Sequence, residues 1–247
     1  MSLNAVLPFF STVIMGVFSV SVLRRYWVRR KLHFLFWGVG LAMFGVGSFA
    51  EAYFVAAGWS PAVFFGWYLF GAALNAAWIG HGTLLLLVRK GWVHVLTALL
   101  VIGSLGATVL MIQVMPRLNA EAFEPGRAIS ETYRDIFPPI DQGATVRLTT
   151  PIFNIYGLIT LVGGALYSAW LFLRKRVLPN RVIGNVLIAA GALSIGAASA
   201  LTRIGYGQYL YLGELVAAVL MYAGFLIAAR PATEEERQEL AHSGQPA

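Results

Sequence analysis

Cysteine is absent from all 247 residues. Disulfides, thiolate metal centres, iron–sulfur clusters and cysteine-linked lipid anchors are thereby excluded. Charge is almost as scarce: charged side chains make up 12% of the chain, against about 25% in a soluble domain. The only lysines are Lys31, Lys90 and Lys175, and none lies within an apolar run. A Schiff base on the last apolar segment, which covalent retinal requires, therefore has no residue to form on. Histidines number 4; no two are four residues apart on one helix, and no carboxylate accompanies them. That pattern offers neither a zinc nor a haem ligand set. Gly38, Gly40, Gly45 and Gly47 lie in an apolar helix with no strand before them, so they are not a phosphate loop. Gly80-His81-Gly82-Thr83 is not a serine-hydrolase elbow. No cofactor or metal is expected, and the chain reads more as a non-enzyme than as an enzyme.

What is present is apolar surface. Hydrophobic residues reach 58% and the mean hydropathy is +0.72. A soluble fold would expose such surface in large patches, whereas bilayer hydrocarbon absorbs it. The apolar runs approach 20 residues, the length a helix needs to cross, and are far longer than barrel strands. The sequence predicts an all-α, polytopic membrane protein with helices at 3–23, 34–57, 62–88, 93–115, 150–173, 182–203 and 209–229. Residues 1–230 form one seven-helix membrane domain. Residues 231–247 form a short polar tail, in which Thr233 and Glu236 suggest a capped helix over 234–241.

The net charge of +7 reflects topology rather than nucleic-acid binding, because the basic residues flank the apolar runs. Thirteen of the 18 Lys and Arg fall in 24–33, 89–92, 174–181 and the tail from 230. Arg117, Arg127, Arg134, Arg147 and Arg203 lie on the opposite side. The positive-inside rule places the amino terminus outside and the carboxyl terminus in the cytoplasm, in the cell's inner (plasma) membrane. The first run lacks positive charge before it and has Arg24-Arg25 behind it, so it reads as a retained span rather than a cleaved signal. Trp27, Trp37, Trp59, Trp67, Trp92, Tyr26, Tyr206 and Tyr209 read as interfacial belt residues, with Trp78 and Trp170 as deeper packing residues. Pro151 is expected in the first turn of the fifth span. Small residues at four-residue spacing mark close helix contacts: Gly38 and Ala42, Gly103 and Ala107, Gly164 and Ser168, and Ala192, Gly196 and Ala200 on the sixth span.

One connection is long. Residues 116–149 hold five acids and four arginines, and a short interfacial helix is expected around Ser130, Thr132, Tyr133 and Ile136 before Pro138-Pro139. Long connections are functional or disordered, so the segment is either a lid over an outward-facing cavity or a mobile connector.

Polar residues at membrane depth are costly, and each is a functional candidate. Glu51 lies about 9 Å inside the outer end of its span at 1.5 Å per residue. Glu214 and Arg203 share that level, with Asn154, Gln113, Gln208 and Tyr211. Glu51, Arg203, Glu214, Asn154 and Tyr211 are the candidate ligand-binding set. They form either a neutral structural clamp or the floor of a pocket. Asn75, His81 and Gln113 are candidates for the polar interior, with His81 expected to be hydrogen-bonded rather than a ligand.

The stretch Trp67-Tyr68-Leu69-Phe70-Gly71-Ala72 and Ala77-Trp78-Ile79-Gly80-His81-Gly82-Thr83, with Glu51 and Gly58-Trp59 before it, resembles a pattern in uncharacterised small bacterial multi-pass membrane proteins over about residues 48–88. The resemblance implies that the second and third spans hold the functional centre; it brings no activity with it.

The expected function is that of a receptor-like or accessory membrane protein, binding a small or amphipathic ligand in an outward-facing pocket within the bundle. A structural subunit of a larger membrane complex stands close behind. A proton-coupled transporter follows, disfavoured because the spans lack mid-helix proline and seven spans do not divide into equal repeats. A haem-bearing or intramembrane enzyme using His81 comes last. Expected partners are membrane lipid, a small-molecule ligand and a protein on the cytoplasmic face, but no nucleic acid.

Overall fold

The computed structural model describes residues 3–88, 90–175 and 179–230. The tail helix expected over 234–241 lies outside them, as do the side chains of Arg203 and Gln208. The described residues are helical with no strand, and seven helices are long and apolar enough to cross a membrane. They are α1 (Leu3–Arg29), α2 (Leu32–Ala57), α3 (Pro61–Leu87), α4 (Trp92–Val114), α6 (Val146–Arg174), α7 (Pro179–Arg203) and α8 (Leu210–Ala228). The eighth helix, α5 (Ile129–Ile136), lies in the long connection.

Several boundaries shift from the sequence reading. α1 runs through Arg24, Arg25 and Arg29, so the basic cluster forms the helix's own last turns rather than a loop. Only Arg30 and Lys31 separate α1 from α2. That turn needs Arg30 at φ 51°, the left-handed region. α6 begins at Val146, which puts Pro151 inside the helix and not in its first turn. Its first turn is tight: the Arg147 amide donates to the Ala144 carbonyl and the Leu148 amide to the Thr145 carbonyl, each three residues back. Ser60 caps α3 as the Trp59-Ser60-Pro61 turn predicts, accepting from the Val63 amide at 3.5 Å.

Six spans close a ring in the order α1, α2, α3, α6, α7, α8, with α8 returning to α1. Their shared core includes Met15 and Phe18 from α1, Leu41 from α2, Ile79 from α3, Leu161 from α6, Ala189 from α7 and Met221 from α8. α4 stands outside the ring, packed on α3 and α6. It buries Val93, Leu100, Ser104, Ala107, Met111 and Val114, which share one face.

Close helix approach follows glycine pairs. A Cβ on Gly47 would stand 2.7 Å from the Cα of Gly71, where α2 crosses α3. A Cβ on Gly184 would stand 2.5 Å from the Gly224 carbonyl, where α7 meets α8. The small-residue row read on the sixth span divides: Ala192 is buried, but Gly196 and Ala200 face outward. The packed face of α7 instead runs through Gly184, Ala189, Gly191, Ala192 and Ala198.

α3 and α6 each contain a wide π-helical stretch, Trp67–Leu74 and Ile159–Gly163. In the first, the Asn75 amide donates to the Gly71 carbonyl at 2.7 Å and the Asn154 amide to the Ala72 carbonyl at 2.9 Å. Side chains thus bond carbonyls of a segment whose helical ladder is irregular, which hydrocarbon demands.

Candidate functional site

The connection from α4 to α6 folds down over one end of the bundle. Its helix α5 buries Ile129, Thr132 and Ile136 along one face. Aromatic rings fasten it. Phe123 lies against Phe54 and Trp59 at 5.6 and 5.7 Å, Phe137 against Phe64 and Tyr68 at 5.3 and 4.6 Å, and Tyr133 against Trp67 at 5.8 Å. On the solvent side Arg127 bridges Glu124 at 2.8 Å and Glu131 at 3.2 Å. These two carboxylates, Glu124 foremost, hold its guanidinium above its ordinary range. The segment is packed onto this end of the bundle and covers it like a lid.

Under the lid two carboxylic acids come together. Glu51 on α2 is 2% exposed and Glu214 on α8 is 8% exposed. Both helices flank α1, and the two side chains lie beside one another with Ser48 next to Glu214. The Trp67 indole N–H donates to Glu51 Oε1 at 3.1 Å. Tyr211, one turn before Glu214, is buried close to both carboxyls. Among the described residues, neither acid forms an ion pair.

Six buried side-chain oxygens among the described residues lack a hydrogen bond of good geometry, namely Ser11 Oγ, Ser48 Oγ, Glu51 Oε2, Ser130 Oγ, Thr132 Oγ1 and Glu214 Oε2, although Glu214 adjoins both Glu51 and Ser48 closely enough to share a proton with them. All belong to the lid end. Met15 lies 3.6 Å from the Cβ position of Gly45. Ser11, one turn further toward the lid, therefore sits level with Ser48 and Glu51 in the antiparallel α1–α2 pair. Thr132 lies on the buried face of the lid helix. Native interiors leave few such groups, and each calls for an explanation.

Every atom of this set is oxygen. Carboxyl and hydroxyl oxygens suit a hard cation or a protonated amine rather than a soft transition metal. The nearby indole and phenol rings offer further attraction to an ammonium. No group of three His, Asp or Glu that could hold a metal occurs among the described residues.

The remaining candidates are distributed differently. Arg203 is the last residue of α7, and its side chain lies outside the described residues. Asn154 does not join the carboxyls, because its amide is held by the Ala72 carbonyl on the π stretch of α3. Asn75 is likewise engaged with Gly71. Gln113 turns outward: it lies off the buried row of α4 that includes Met111 and Val114.

His81 is fully buried and bonded on both ring nitrogens, to Tyr156 Oη at 2.6 Å and Thr97 Oγ1 at 2.8 Å. Neither Tyr156 nor Thr97 was indicated by spacing, because they come from two other helices. Trp67 is buried and bonded to Glu51, and so is not a belt residue; Trp37 donates to Thr83 at 3.2 Å. Trp27 and Trp92 are exposed as belt residues are, but so is Trp170, expected to be deep. Trp78 does pack inside, stacked on Phe36 and donating to Ser104 at 3.1 Å.

No family model, curated protein or solved structure matches this chain.

Proposed function

We propose that the chain is a receptor-like membrane protein that captures a small cationic ligand in a lidded site facing the outside. The observation that carries this reading is the Glu51–Glu214 pair, buried under a lid that contributes its own unpartnered hydroxyls, Ser130 and Thr132. Two negative charges side by side in a medium of low permittivity require compensation by a proton, an ion or a cationic ligand. Ser11, Ser130 and Thr132 add further unfilled hydroxyl acceptors at the same end of the bundle. Closure by α5 favours a ligand that is enclosed once bound.

The test is native mass spectrometry of the detergent-solubilised protein titrated with sodium, potassium and tetramethylammonium. One of these is expected to bind stoichiometrically and to be lost in Glu51→Gln and in Glu214→Gln, with Arg203→Gln measured beside them. Loss only in Arg203→Gln would return the acids to a structural clamp. Indifference of all three variants would remove the site.

A carrier coupled to protons or ions is the second reading. The π stretches in α3 and α6 favour it, because they supply helix irregularities without proline. Its measurement is flux into liposomes under an imposed pH gradient; no difference between wild type and Glu51→Gln would set it aside.

A further inference from the structure

The seam between α1 and α8, from the middle of α1 to the end of the bundle away from the lid, holds a groove of about 770 Å³. Its wall is apolar: Val17 and Val20 are half or more exposed along it, and Phe225 closes the other side. Its floor opens at Gly16, where a Cβ would meet nothing within 4 Å. Arg24 and Arg25 stand at one end. The Arg25 guanidinium rests 4.5 Å over the Phe225 ring, while Arg24 is exposed. Among the described residues neither has an acidic partner.

Length and charge together select the occupant. Thr12 to Arg24 spans about 18 Å of helix at 1.5 Å per residue. One leaflet of hydrocarbon is about 15 Å deep, half of a 30 Å core. The groove thus runs from an interfacial pair of guanidiniums to mid-bilayer, the reach of one acyl chain. Guanidinium pairs bind phosphate by paired hydrogen bonds. We propose that this groove is a binding site for one anionic phospholipid from the leaflet on the basic side, its phosphate on Arg24 and Arg25 and an acyl chain along Gly16.

The experiment compares binding of dioleoyl phosphatidylglycerol, dioleoyl phosphatidylcholine and soluble glycerol phosphate to the full chain in mild detergent, by native mass spectrometry and thermal shift. Wild type is expected to bind one phosphatidylglycerol tightly, phosphatidylcholine weakly and glycerol phosphate not at all. Arg24→Gln with Arg25→Gln should weaken phosphatidylglycerol by about thirtyfold, from two interfacial charges, and erase the preference over phosphatidylcholine. Gly16→Leu should block both lipids, while Gly106→Leu on α4, where a Cβ also meets nothing within 4 Å, should not. Equal phosphatidylglycerol binding in wild type and the arginine double variant would overturn the proposal, and so would glycerol phosphate binding as tightly as the lipid. A dimer that Gly16→Leu dissociates would give the groove to a second copy instead. If Gly16→Leu does not fold, the arginine variant, which leaves the groove's shape intact, decides alone.

Discussion

The Thr97 hydroxyl has one proton, and it goes to the Val93 carbonyl at 3.0 Å. Thr97 Oγ1 can therefore only accept from His81 Nε2 at 2.8 Å. Nε2 then carries the ring proton, and Nδ1 accepts from the Tyr156 hydroxyl at 2.6 Å. The result is a neutral imidazole that ties α3, α4 and α6 with every polar atom bonded. Tyr156→Phe leaves Nδ1 buried without a donor and should cost about 1–3 kcal/mol. Thr97→Val leaves the Nε2 proton without an acceptor and should cost a similar amount, while Thr97→Ser should be near neutral. Thermal melting in detergent checks the order; Thr97→Val melting with wild type would show that the Thr97 hydroxyl contributes nothing to holding the ring. At this scale the sequence is a partial guide. Glu51, Glu214 and His81 are legible because polar groups in an apolar run are few. Their bonding is not, since Trp67, Tyr156 and Thr97 come from other helices and look like packing or belt residues until the helices are rotated. Gln113 misleads because depth can be counted along a helix but facing cannot.

At the scale of elements, Ser60-Pro61 marks where a span begins but Pro151 misleads, because its helix starts at Val146, and the π stretches leave no sign in the sequence. Trp67–Leu74 is an ordinary apolar run, and the amides that bond its Gly71 and Ala72 carbonyls come from Asn75, the next residue of the same helix, and Asn154 of α6. Glycine is also ambiguous, since Gly71 and Gly106 look alike in sequence. Gly71→Ala drives a methyl to within 2.6 Å of the Gly47 Cα and should cost about 1–3 kcal/mol as overpacking. Gly106→Ala meets nothing within 4 Å and should be neutral or stabilising by up to about 1 kcal/mol through helix propensity. Equal melting temperatures for the two would contradict the crossing. The lid offers a separate test. Ile136 is fully buried, and Ile136→Ala should loosen α5 by about 2–5 kcal/mol. Hydrogen exchange should quicken across 129–137 and stay unchanged in α7 and α8; acceleration throughout would mean that the lid and the bundle open as one unit.

For the whole molecule, seven crossings are legible from hydropathy alone, and the ring order is not, because loop lengths do not reveal that α4 stands outside it. Orientation rests on the asymmetry of basic residues and can be measured directly, since the chain has no cysteine of its own. A single cysteine introduced as Glu124→Cys should react with a membrane-impermeant maleimide on intact cells. Arg174→Cys should react only after lysis. The opposite pattern would invert the topology and place the lidded site in the cytoplasm.

The meeting of Glu51 with Glu214 also sets a timetable. The acid on α2 is made early, and its counterpart arrives on α8, more than half the chain later. At roughly 5–20 residues per second of synthesis, that interval lasts on the order of ten to thirty seconds. Through that time the wall supplied by α8, with Tyr211 and Met221, does not exist, so Glu51 faces lipid or water rather than its final surroundings. Insertion of α8 both closes the ring and shelters the acid, so Glu51 reaches its final surroundings only when the last span is in place.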